Sequence, residues 1–220
     1  MTVRKAIAGA YTTTAPAAAA AVPRVRVPRQ RSVRDLRGRS GRTPRLIAFA
    51  AGDLVVLSGL PGSGKSTLMR RAVTVVRVDS QDTRERWAAR LPRAVPYVLY
   101  RPLVRVAHYA GLRRAMRSGA SVVVHDCGTQ AWVRRWVTRA ARRRGAAVHL
   151  LLLDVPPDTA RAGQRERGRG VSRYAFARHR RAVGALVTST ERGELPVGIA
   201  SAVLLDRAAT DALGGIAFRE

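Results

Sequence analysis

Cysteine is almost absent from this chain of 220 residues: Cys127 stands alone. That excludes an intramolecular disulfide and any metal site built from several cysteines, and it fits a reducing cytoplasm. No apolar run approaches the roughly 20 residues needed to span a bilayer, so no membrane partner is expected. Lysine is nearly missing, with only Lys5 and Lys65. Acidic residues are scarce: 14 Asp and Glu face 41 Lys and Arg, a formal net charge of +27. Between Arg86 and Leu153 the one acid is Asp126. Such a charge attracts nucleic acid or another polyanion. An arginine-, alanine-, glycine- and valine-rich chain is also what a GC-rich genome encodes, and both readings stay open here.

What is present is an ordinary globular composition, 46% hydrophobic and 25% charged, in a chain long enough for one α/β domain with a core. Residues 1–44 stand apart. The stretches AAAAAV and PRVRVPRQRSVRDLRGRSGRTP show no helical or strand period, and Asp35 is their one acid. They predict a disordered basic tail. The alanine stretch is weakly apolar and the charge follows it, which does not match a secretory signal. Residues 45–213 are expected to form the domain and 214–220 a C-terminal tail.

Within the domain, short apolar runs alternate with helical patterns. The runs are LVVLS (54–58), VVRVD (75–79), SVVVHD (121–126), VHLLLLD (148–154) and SAVLLD (201–206). Helical patterns cover 65–74, 100–117, 130–144, 157–169 and 174–188. Five such runs separated by helices predict a five-stranded parallel sheet covered on both faces, in three α/β/α layers. The ligand crevice of such sheets lies beyond the carboxyl ends of the strands, where Ser58, Asp79, Asp126, Asp154 and Asp206 would gather.

The first run leads into Gly59-Leu60-Pro61-Gly62-Ser63-Gly64-Lys65-Ser66-Thr67 and then a helix. This strand–loop–helix context is what a phosphate-binding loop requires. Glycines let backbone N–H groups wrap a phosphate, and the helix N-terminus favours negative charge. Lys65 would reach the β- and γ-phosphates, and Ser66 would ligate Mg²⁺. One of only two lysines falls on the demanded position. ATP and Mg²⁺ are the expected ligands. Asp126, at the end of a valine strand, is the candidate second support for the metal, with helix capping as its other reading.

Other classes need partners that are missing. The residue after Asp126 is Cys127, not the Glu with which ATPase motors activate water. There is no LSGGQ-like signature and no N-K-x-D base reader. Transfer to a bound acceptor therefore fits better than hydrolysis. Asp79 is the candidate base for the acceptor hydroxyl, and Arg84 a candidate contact to an anionic acceptor. Asp82-x-x-Glu85 has capping-box spacing, which leaves Asp79 for chemistry. In RAGQRERGRGVSRYAFARHRR (161–181), Arg165 and Arg169 fall one helical turn apart, and Gly168 and Gly170 offer a hinge. These arginines are candidate catalytic lid residues; a solvated basic helix end is the plainer reading. The segment 91–119 is the candidate acceptor wall, with Tyr97, Tyr100, Arg101, Arg105, His108 and Tyr109. A core stripe of Leu103, Val106, Ala110 and Leu112 is the competing reading.

The order GLPGSGKST, VDSQDTR, VVVHD and R-x-x-x-R-G resembles phosphate-loop kinases of the polynucleotide kinase and zeta-toxin type, often grouped with AAA-family ATPases. The resemblance spans about Leu46 to Asp211. It implies a P-loop NTPase core of strand order 2-3-1-4-5 with Mg-ATP as donor. The lid pattern falls on Arg165, Arg169 and Gly170. The usual acceptor-activating acid falls on Gln81. In the similar adenylylsulfate kinase pattern D-G-D-x-x-R, the first Asp falls on Asp79. The expected function is transfer of the ATP γ-phosphate to a hydroxyl of a small molecule or nucleic-acid end. The alternative is a nucleic-acid-associated ATPase or a nucleotide-sensing regulator.

Overall fold

The computed structural model describes residues 32–39, 41–92, 95–125, 131–166, 168 and 170–219. Along the chain run β1 (Ser32–Asp35), β2 (Leu46–Ala50), β3 (Leu54–Gly59), α1 (Lys65–Ala72), β4 (Val76–Val78), α2 (Ser80–Ala88), α3 (Tyr97–Arg117) and β5 (Val122–His125). There follow α4 (Ala131–Arg143), β6 (Val148–Leu153), α5 (Pro157–Arg165), α6 (Arg173–Glu191), β7 (Ser201–Leu205), α7 (Arg207–Ala212) and β8 (Gly215–Arg219).

Every residue of β3 and β6 is buried. A strand apolar on both faces is stable only with neighbours on both edges and helices above and below. These two strands are accordingly adjacent in the middle of a parallel sheet of order β4-β5-β3-β6-β7-β1. The first five reproduce the expected 2-3-1-4-5 order. Side chains alternate along each strand, which divides the core in two. Leu54, Val56, Val122, Val124, Leu150 and Leu152 pack with Leu112 and Met116 of α3, Val133 and Val137 of α4, and Val183 and Leu186 of α6. Val55, Leu57, Val123, Leu151 and Leu153 pack with Leu68 and Met69 of α1 and Ala209 of α7. Each fully buried leucine contributes about 1.5–3 kcal/mol, so both helix layers are needed to hold the sheet.

Two expected boundaries need correction. Ser32–Asp35, assigned above to a disordered tail spanning 1–44, is a strand, paired in parallel with β7 from Ser32↔Ser201 to Asp35↔Leu204. Leu36 behind it is buried. The charge of Arg37 is met by Asp35 at 2.7 Å, Asp154 at 2.6 Å and Glu191 at 2.7 Å. An edge strand needs pairing on one side only, so Val33 and Leu36 suffice, and so short a pattern is invisible among arginines. Residues 1–31 lie outside the described residues. The second correction concerns the C-terminal tail. Gly215–Arg219 forms β8, in parallel pairing with β2, and Ile47 and Ile216 are buried where the two meet.

Helix α3 also turns differently from the expected stripe. Its buried side is Tyr100, Val104, Leu112, Ala115 and Met116, whereas Leu103 and Val106 are 52% and 68% exposed. Apolar residues lie all round this helix, so periodicity does not select a face. No helix among the described residues is long and apolar enough to cross a membrane.

Candidate functional site

The loop leaving β3 turns back under the start of α1. Gly62 (φ 88°) and Gly64 (φ 96°) adopt left-handed backbone that side-chain-bearing residues avoid. Gly64 caps α1 without a side-chain hydrogen bond, which leaves the first helical N–H groups for an anion. Ser63 N–H closes the turn on the Leu60 carbonyl at 3.0 Å. Lys65 is buried, and its Nζ donates to the carbonyls of Gly59 at 2.8 Å and Leu60 at 2.7 Å. The ammonium is thus held over the loop that would wrap a phosphate. Ser66 is buried at the helix start, and Thr67 is exposed.

The sheet register brings up the second element of the site. Val78 pairs with Val124, so Asp79 and His125 emerge side by side at the carboxyl edge. Their Oδ1 and Nδ1 are 3.2 Å apart, with the carboxylate 3% and the imidazole 17% exposed. Asp79 also accepts the Gln81 N–H at 2.9 Å and is the N-cap of α2. Capping therefore belongs to Asp79 and not to Asp82, because β4 ends one residue before Asp79 and the helix starts one residue after it. Burial alone would raise the Asp79 carboxyl. The His125 imidazole, the Gln81 amide and the Ser66 hydroxyl outweigh burial and hold it well below the usual carboxylate range. Gln81, at the position where the related kinases carry an acid, donates to Glu85 Oε1 at 3.0 Å. Arg84 lies over the Tyr97 ring at 4.0 Å.

The third element arrives on α5. Arg165 is exposed and lines a neighbouring hollow with Arg161, Gly168 and Phe176. Arg169, Asp126 and Cys127 lie outside the described residues. The side chain that reaches the phosphate loop is Gln164, which donates to the Pro61 carbonyl at 2.9 Å and accepts the Val171 N–H at 3.0 Å. It ties the loop to the segment that follows Gly170. The helix approaches so closely that a Cβ on Gly163 would stand 2.7 Å from the Gly62 carbonyl oxygen.

Gly62, Lys65, Ser66, Gln81, Arg84, His125 and Gln164 line one cleft of about 500 Å³. Three of them, Gln81, Arg84 and His125, also line a second pocket of about 250 Å³ against α3. Of the sequence candidates, the structure brings together the loop, Lys65, Ser66, Asp79 and Arg84. It adds His125 and Gln164. His125 was in view as the residue before Asp126 in SVVVHD. Gln164 carried no signal, because its loop partner is 103 positions away.

A family model described as an AAA domain matches residues 54–187, more than half of the chain. No match was found among curated proteins. Among solved structures, the chain is similar to a kinase candidate from Chloroflexus aurantiacus, at 15% identity and a TM-score of 0.49 over 71% of this chain and 85% of that one. It is similar to a structure from the PezAT toxin–antitoxin system of Streptococcus pneumoniae, at 12% identity and a TM-score of 0.49 over 70% of this chain and 67% of that one. It is also similar to a Deinococcus radiodurans tunicamycin resistance protein, at 16% identity and a TM-score of 0.38 over 73% of this chain and 92% of that one.

Proposed function

Since the chain belongs to the AAA domain family, we propose that it is an ATP-dependent phosphotransferase, passing the γ-phosphate to a hydroxyl of a small molecule or a nucleic-acid end. One observation carries this reading. The cleft at the phosphate loop shares Gln81, Arg84 and His125 with a second pocket, which would give an acceptor its own place. A hydrolase needs room only for water.

The chain's residues divide the work. The N–H groups of Gly62–Ser66 and the Lys65 ammonium hold and orient the phosphates. Ser66, buried at the start of α1, offers a hydroxyl oxygen, a hard donor that suits Mg²⁺. Ser66 would hold that ion together with Asp126, and the ion supplies charge neutralisation on the β- and γ-phosphates. The acceptor oxygen bonds to the γ-phosphorus while the bond from that phosphorus to the β–γ bridging oxygen breaks, and ADP leaves with the electron pair. The hydroxyl proton passes to the Asp79–His125 pair, whose imidazole is the more exposed member. Arg165 and Arg169 would move in over the charge spread on the equatorial oxygens.

The test is transfer from γ-labelled ATP to a panel of nucleosides, nucleotides, sugars and oligonucleotides, beside ATP hydrolysis without acceptor. Labelled acceptor forming faster than free phosphate supports the kinase. Fast hydrolysis that needs no acceptor and is stimulated by DNA or RNA overturns it in favour of a nucleic-acid-associated ATPase.

A further inference from the structure

The pocket of about 250 Å³ between α2 and α3 has a chemistry of its own. Among the described residues its charged lining is Arg84 and Arg105, without a carboxylate. The nearest buried carboxylate, Asp79, is already engaged by His125 and the Gln81 N–H. The two guanidinium groups favour an anionic occupant over a cationic one. Tyr97, His108 and Tyr109 contribute rings to the wall, beside Val104 and Val133. Tyr109 is braced at 5.1 Å by Trp132 and at 6.3 Å by Trp136, and His108 meets it edge-on at 5.3 Å. These rings are fixed by packing, so stacking on them costs little ordering.

His108 adds an independent sign. Its Nδ1 is buried without a hydrogen-bond partner, a costly arrangement unless a bound molecule supplies one. Burial, and then the nearby His125, push the imidazole down, so it meets an occupant as a neutral hydrogen-bonding group. The volume lies below the range of about 300–1,000 Å³ usual for drug-sized ligands, which limits the occupant to about one ring system and its substituents.

On the kinase reading above, we propose that the phosphoryl acceptor is a small molecule combining a planar ring, an anionic group and a hydroxyl, seated in the pocket formed by Arg84, Tyr97, Arg105, His108 and Tyr109. The ring stacks among the aromatic side chains, and the anion pairs with Arg105 and Arg84. The hydroxyl is then presented at the opening bounded by Gln81 and His125.

The test uses the full chain and probes that vary one property at a time. Thermal shift with ADP present compares nucleosides, their 3′- and 5′-monophosphates, glycerol 3-phosphate and a ten-nucleotide oligodeoxythymidine. A ringed monophosphate should shift the melting temperature, while its parent nucleoside and glycerol 3-phosphate bind at least tenfold more weakly. Arg105→Ala should weaken that binding tenfold or more and Arg105→Lys should restore part of it, with ATP affinity changed less than twofold in both. Arg105 is exposed, so loss of fold does not mask the result. Tyr109→Leu should weaken the ringed probe without affecting glycerol 3-phosphate. Equal binding of nucleoside and monophosphate, indifference to Arg105→Ala, preference for the oligonucleotide, or no shift with any probe would each overturn the assignment. Failure of the kinase reading registers separately, as acceptor-independent hydrolysis whatever the probes do.

Discussion

The sheet carries an Asp–His pair at each end, and the two pairs differ in how fully their polar atoms are engaged and how exposed the imidazole is. At the amino edge, Asp53 Oδ2 lies 3.0 Å from His149 Nε2, and His149 Nδ1 lies 2.7 Å from Ser201 Oγ. Asp53 Oδ1 takes the Ala147 N–H at 2.8 Å, and Phe49 covers the imidazole with ring centroids 4.5 Å apart. Both ring nitrogens and both carboxylate oxygens of this pair have partners. At the carboxyl edge, His125 meets Asp79 through Nδ1 and lines two cavities, 17% exposed against 7% for His149. The same two residue types thus make a strut in one place and, in the other, a pair with an equally buried carboxylate and a more exposed imidazole. What separates them is whether the second ring nitrogen is already used inside the protein.

The contrast can be broken from either side. The largest effect is expected for Asp79→Asn, which should lower phosphoryl transfer about 10²–10⁴-fold, the range of a lost acid–base group. Asparagine still caps α2, so the melting temperature should move by only a few degrees. Wild-type-like transfer in this variant would remove the carboxyl-edge pair from the chemistry. Asp53→Ala should do the reverse. Leaving His149 and the Ala147 N–H without their buried partner should cost about 3–5 kcal/mol, read in urea titrations, while transfer by the remaining folded protein stays within about threefold. Equal loss of transfer and stability in both variants would erase the distinction.

A smaller break is deletion of residues 1–44. It removes β1 and the Arg37 cluster and bares the edge of β7, so the melting temperature should fall by about 5 °C or more. ATP affinity should hold, because the loop and α1 pack against the interior of the sheet. The smallest effect is one of pH. The Asp79 carboxyl is held below its unfolded value, so its stabilisation is complete above that value and fades as pH falls through the depressed native one. The stability gap between wild type and Asp79→Asn should shrink as pH falls below about pH 4. A gap unchanged down to about pH 2 would contradict the lowered carboxyl.

The five central strands and their order were legible because each is a β-branched or leucine run closed by a polar residue. The phosphate loop was legible because its glycines, Lys65 and Ser66 are contiguous. Strands β1, β2 and β8 were not, since each depends on a partner far along the chain, as Ser32 does on Ser201 and Leu46 on Gly215. The site divides in the same way. Asp79 could be placed at a strand end from the sequence, but its roles as a cap and as a partner of His125 come from strand register. The mixed aromatic and basic residues on 91–119 were visible, yet a helix apolar on every side hid which of them turn inward.

The contact between Gly62 and α5 constrains how this sequence can drift. A methyl group at Gly62 would overlap the Ala160 carbonyl, and one at Gly163 would collide with the Gly62 carbonyl at 2.7 Å. Two sites a hundred positions apart are thereby locked into joint inheritance. A lineage that loses either glycine must re-seat α5, and with it the Gln164 bridge to Pro61 and Val171, before its phosphate loop can close as it does here.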